Sequence, residues 1–188
     1  MGVLSHCIDL SEAKRGDHVY ALRKVGIYQH HGIIITGNDA QDFDETIKDP
    51  EQIMVVAQNL NGLEIVTVNE FCTEYINDSQ WKHNLRRAEY YENPVLFKVK
   101  RRGTCYVQPS LPAEVVVKNA CVIYKEKKDQ WQPYSLLKRN CEHFAFTCST
   151  GLDIASEQIL AKYDLFTDGM CSTAMTIVTC VWGYCKSL

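Results

Sequence analysis

The chain has 188 residues, with Lys+Arg 20 against Asp+Glu 23, a formal net charge of -3 and 46% hydrophobic residues. That length suits one compact domain, and the composition excludes wholesale disorder and collagen-like repeats. With no excess of positive charge to drive phosphate-backbone binding, nucleic acid is not an expected partner.

The opening Met1-Gly2-Val3-Leu4-Ser5-His6-Cys7 partly matches a myristoylation signal: Gly2 is in place, but the serine falls one position early at Ser5. It lacks the charged and apolar regions of a secretory leader. The nine cysteines are odd in number and show no C-x-x-C spacing. Free thiols in a reducing, cytoplasmic setting are therefore expected, without a metal or cofactor.

Asp17–Leu22 reads as a short strand entered through a turn at Arg15-Gly16. Gly26–Ile35 is rich in β-branched residues toward its end and reads as a buried strand, followed by a turn cluster at Thr36–Asp39. Further strands are predicted at Ile53–Val56, Leu63–Val68 and Val95–Val99. Between the last two lies a polar, Tyr-rich insertion that begins with a helix over Asn69–Ile76. After Pro112, Glu114–Tyr124 places Val115, Val116, Ala120 and Ile123 at helical spacing. Arg139–Gly151 reads as a complete helix, with Asn140 as N-cap and Gly151 as the C-terminal stop. Strands first and helices afterwards indicate an α+β domain over 1–151. A helical tail then occupies 152–188. Its run from Gly169 to Cys185 carries no charge and is expected to contact a membrane rather than to span one.

Cys141 is the residue best placed for chemistry. It follows the Asn cap, so it sits in the first helical turn, where unpaired N–H groups and the helix dipole favour a thiolate and can hold an oxyanion. Cys141, Phe144, Ala145 and Cys148 share one helix face; His143 projects from another side. A buried cysteine is also an ordinary core residue. A base is better supplied by a facing strand, where His30 and His31 are adjacent and therefore point to opposite sheet faces. Gly32 leaves room beside His30, while His31 shares its face with Ile27, Ile33 and Ile35.

Four segments taken together carry a resemblance: Met1–His6 with Ile8-Asp9, Gly16-Asp17-His18-Val19-Tyr20, Tyr28-Gln29-His30-His31-Gly32-Ile33, and Arg139-Asn140-Cys141-Glu142-His143-Phe144-Ala145 closing at Thr150-Gly151. In this order they resemble the lecithin:retinol acyltransferase-like family, particularly its plant members. The resemblance implies a permuted papain-like (NlpC-type) fold, in which an antiparallel sheet carrying the histidine precedes the cysteine helix packed on it. It implies Cys141 as nucleophile and His30 as general base and later acid. In the family a third, polar residue steadies the histidine and is usually a histidine on the next strand. An ungapped reading from Gly32 puts Asp42 at that point, within Asp39–Asp44.

The function so implied is a thiol acyltransferase or acyl hydrolase acting on glycerophospholipid esters at a membrane surface. Two alternatives use the same residues. Tyr134–Cys141 is similar to the cysteine segment of permuted papain-fold peptidases of ubiquitin-like modifiers. The unusual Asp39–Asp44 stretch admits a non-catalytic domain that binds lipid or protein. The sequence leaves the oligomeric state open.

Overall fold

Two-sided burial organises the fold. Val19, Ala21, Ile34, Val55 and Ala57 enter one apolar cluster, while Ile33, Ile35, Met54 and Val56 enter another. Successive strand residues face opposite ways, so these strands are covered on both faces and read as nearly continuous apolar runs. The structure, a computed structural model, describes residues 6–23, 28–76, 79–90, 105–106, 108–131, 134–135 and 139–152.

The strands are β1 (His6–Cys7), β2 (His18–Arg23), β3 (Tyr28–Thr36), β4 (Ile53–Asn59), β5 (Gly62–Thr67), β6 (Thr73–Ile76), β7 (Ser79–Lys82), β8 (Leu85–Arg87), β9 (Glu89–Tyr90) and β10 (Cys105–Tyr106). Six of them form an antiparallel sheet in the order β1-β8-β2-β3-β4-β5. β6 pairs with β7, and β9 pairs in parallel with β10. The fold is α+β, as expected. The helices are α1 (Gly37–Ala40), α2 (Val68–Phe71), α3 (Ala113–Glu126) and α4 (Cys141–Thr150).

α3 and α4 cover one sheet face, where Val116, Val117, Ala120, Ile123, Phe144, Ala145 and Cys148 meet Ile33, Ile35 and Val56. Val115, at helical spacing with the buried Val116, Ala120 and Ile123, is exposed. The other face is closed by Val68 and Phe71 of α2. α4 has the ends its sequence signals. The Asn140 side chain accepts a hydrogen bond from the His143 N–H at 2.9 Å, a cap worth about 1 kcal/mol. Gly151 ends the helix at φ 73°, a left-handed conformation that glycine adopts without strain.

Two local expectations are corrected. Thr36–Asp39 leads into the single turn α1, with Asp39 accepting hydrogen bonds from the Thr36 N–H and hydroxyl. The helix expected over Asn69–Ile76 is only the short α2: it starts one residue earlier, at Val68, behind a capping box of Thr67 and Glu70, and the chain then enters β6. Tyr75 and Ile76 suit a strand better than a helix. The expected strand at 95–99 lies outside the described residues. So do the lipidation signal at 2–5 and, apart from residue 152, the tail with its 169–185 run. No helix among the described residues is long and apolar enough to cross a membrane.

Candidate active site

The site arises where a strand loses its neighbour. β3 pairs with β4 from Thr36↔Ile53 as far as Gly32↔Ala57. The Ile34 N–H and C=O bond to Asp17 and Gly16, beside β2. Backbone groups alternate sides along a strand, so those of Gln29 and His31 point the other way, to the edge that β4 has left. The N-terminus of α4 fills this gap. The Cys141 sulfur lies 3.6 Å from the Gln29 carbonyl oxygen and accepts from the His31 N–H. These two backbone groups flank the Cα of His30 on that edge.

The rings themselves diverge, as adjacent strand residues must. His30 stacks on Phe71, centroids 4.9 Å apart, on the face away from α4. Among the described residues no hydrogen bond reaches its ring. Burial, together with the Arg23 charge, pushes its imidazole down to about 3. His31 faces the helix side and is held by His18 and Gln29. The space expected beside His30 at Gly32 is already taken: a Cβ there would meet Val55, the Val56 carbonyl at 2.9 Å and Phe71 at 3.2 Å.

Cys141 is buried, and loss of water pushes its thiol above the ordinary value. Three neutral donors oppose this: the His31 N–H, the Tyr134 hydroxyl at 3.9 Å from the sulfur, and the Glu142 N–H of the first helical turn. The site is thus a protonated thiol in a ring of donors suited to an anion. Tyr134 escaped the sequence reading because nothing in its spacing separates it from a core tyrosine. Burial and the neighbouring Cys141 push its hydroxyl upward, so it stays a donor.

Asp42 does not belong to this site. It is exposed in the turn after α1, beyond the far end of β3. From His30 to Thr36 the strand alone spans about 20 Å. The ungapped count fails because β3 leads into α1 and a loop before β4 returns. On the His30 side of β4, the residue paired with Gly32 is the apolar Ala57. Asn59 is committed to Glu64 and to the Asn61 N–H. Among the described residues no group of three His, Cys, Asp or Glu side chains could hold a metal ion.

Residues 11–154 match the model of the family described as lecithin retinol acyltransferase. Protein LEAD-SENSITIVE 1 of Arabidopsis thaliana is 32% identical over 166 residues, which cover 81% of this chain and 63% of that protein. The chain thus spans less than two thirds of that relative's length. No solved structure matches the chain significantly.

Proposed function

The chain belongs to the lecithin retinol acyltransferase family, which supports a lipid-related, acyltransferase-like role, and from that premise we propose a thiol acyl-transfer reaction on glycerophospholipid esters. The observation that carries the reading is the Cys141 sulfur at the open edge of β3, between Gln29 O and the His31 N–H.

His30 leaves its Phe71 stack by side-chain rotation and takes the thiol proton. The sulfur attacks the acyl carbonyl, and its electron pair goes to the oxygen, where the Tyr134 O–H and the Glu142 N–H are suited to hold it. When the carbonyl re-forms, the C–O bond to glycerol breaks and the alkoxide takes the proton back from His30, leaving a thioester and a lysolipid. An acceptor hydroxyl, amine or water then gives its proton to His30, attacks the thioester and releases Cys141 as thiolate, which recovers that proton. Both groups are neutral at rest, so proton transfer and attack are coupled. Contact of residues 169–185 with the membrane would bring this site to its substrate.

Intact-mass measurement after incubation with phosphatidylcholine vesicles tests the reading. An acyl mass increment on the wild type that is absent in Cys141→Ala is the expected result. A folded protein without the increment would instead favour a binding domain. Ala57 in place of an orienting polar group is the observation that supports this second reading.

A further inference from the structure

A chain of buried polar groups that this reaction does not use runs along the helix-facing side of β2 and β3. The Tyr90 hydroxyl lies 2.8 Å from His18 Nδ1, His18 Nε2 lies 2.9 Å from His31 Nδ1, and His31 Nε2 lies 3.2 Å from Gln29 Oε1. Gln29 Oε1 takes the His31 Nε2–H. With His31 neutral, its Nδ1 accepts from His18 Nε2–H, and His18 Nδ1 accepts the Tyr90 hydroxyl proton. Every ring nitrogen is engaged in this arrangement. Burial and the adjacent His31 hold His18 well below the ordinary value, against the charge of Glu142. Tyr20 and Tyr106 stack on His31 and His18, with centroids 5.5 Å away in each case.

Both residues at the end of this chain, Gln29 and His31, also present their main chain to the Cys141 sulfur. Two buried histidines are a costly means of filling a core, because imidazole nitrogens must be paired when water is lost. Ring stacking with hydrogen bonds at both nitrogens, however, leaves His31 a single orientation.

We propose that the Tyr90–His18–His31 chain is the positioning device for the Cys141 thiolate: by locking the His31 ring from β2, it holds the His31 N–H on the sulfur. His18 and Tyr90 act through His31 and touch no reacting atom. The inference rests on Cys141 as the reactive thiol but not on a lipid substrate.

The test is the pH dependence of Cys141 alkylation by iodoacetamide, assigned to the site by peptide mass. His18→Phe keeps the ring stack and removes both hydrogen bonds. Its alkylation midpoint is expected to rise by about one pH unit, with labelling at pH 7.5 slowed about tenfold. His18→Gln, whose amide can donate to His31 Nδ1, is expected to recover most of the difference. A melting temperature for each variant separates this effect from general loosening, which would speed labelling of buried Cys148 as well. Should His18→Phe fail to fold, Tyr90→Phe decides with a smaller shift in the same direction. A wild-type profile in whichever variant folds overturns the proposal. A shifted profile together with no acyl adduct on the wild type would sink the acyl-transfer reading and leave this inference standing.

Discussion

The His30 ring stacks on Phe71 at 28° between planes, on the side of β3 opposite the helix that carries Cys141. The contact parks the proposed base in an apolar setting that favours its neutral form. Phe71→Leu should loosen it. The His30 titration followed by NMR should move up from about 3 toward the ordinary value, while the lost packing lowers stability by about 1–2 kcal/mol. If the His30 titration stays where it is, Arg23 rather than the apolar wall sets it.

Acid should destabilise the protein from an early point. His18 and His30 are both held below their ordinary values in the fold. Below pH ~6.5 the unfolded chain binds protons there that the folded chain does not. Stability is therefore complete above pH ~6.5 and falls as pH drops toward 3, by about 1.4 kcal/mol per unit for each histidine. Urea midpoints at pH 7, 6 and 5 measure this, and His30→Leu should flatten the slope. Equal midpoints across the range would contradict the burial of both rings as neutral groups.

Tyr134 is the one side-chain hydroxyl on the Cys141 sulfur among the described contacts. Removing it as Tyr134→Phe keeps the ring and deletes the donor. Acyl-adduct formation should slow by about 10²-fold. Cys148→Ala should leave the rate near wild type, because Cys148 is buried on the core side of the same helix. The reverse pattern would assign the chemistry to Cys148 instead.

Asp42→Asn should change neither activity nor the His30 titration, since the exposed carboxylate lies beyond the opposite end of β3. Ala57→His tests the neighbouring position directly. A ring there, on the His30 side of β4, should raise the His30 titration if it can hydrogen-bond the imidazole. A loss of activity in Asp42→Asn at unchanged melting temperature would return that residue to the site.

The parts legible in the sequence were those fixed by local rules. Asn140 and Gly151 bound α4 because an N-cap acceptor and a left-handed stop are properties of single residues. β2, β3 and β4 followed from apolar runs, although β4 extends past the predicted Val56 to Asn59. Short elements escaped. Leu85–Arg87 lies between β1 and β2 in the sheet, yet three residues carry too little periodicity to announce it. The failure at Asp42 was one of distance. Counting along the chain assumes a tight hairpin after β3, and sixteen residues from Gly37 to Gln52 intervene before β4 begins. Nor could the pattern tell which backbone atoms would meet the sulfur, because that depends on where β4 stops pairing.

The vacated edge of β3 also sets an order of events. Gln29 and Cys141 are 112 positions apart, so the consecutive hairpins of β2 to β5 can complete their ladder while that edge still waits for its last occupant. Contacts of such separation close late and slowly compared with local pairs. During synthesis the chain would carry its histidines in place before the residue they serve has left the ribosome. The same division operates in reverse. Undocking of α4 alone would expose the His31 amide to hydrogen exchange and extinguish reactivity, with the hairpin amides still protected. Activity would then disappear on heating before the sheet does.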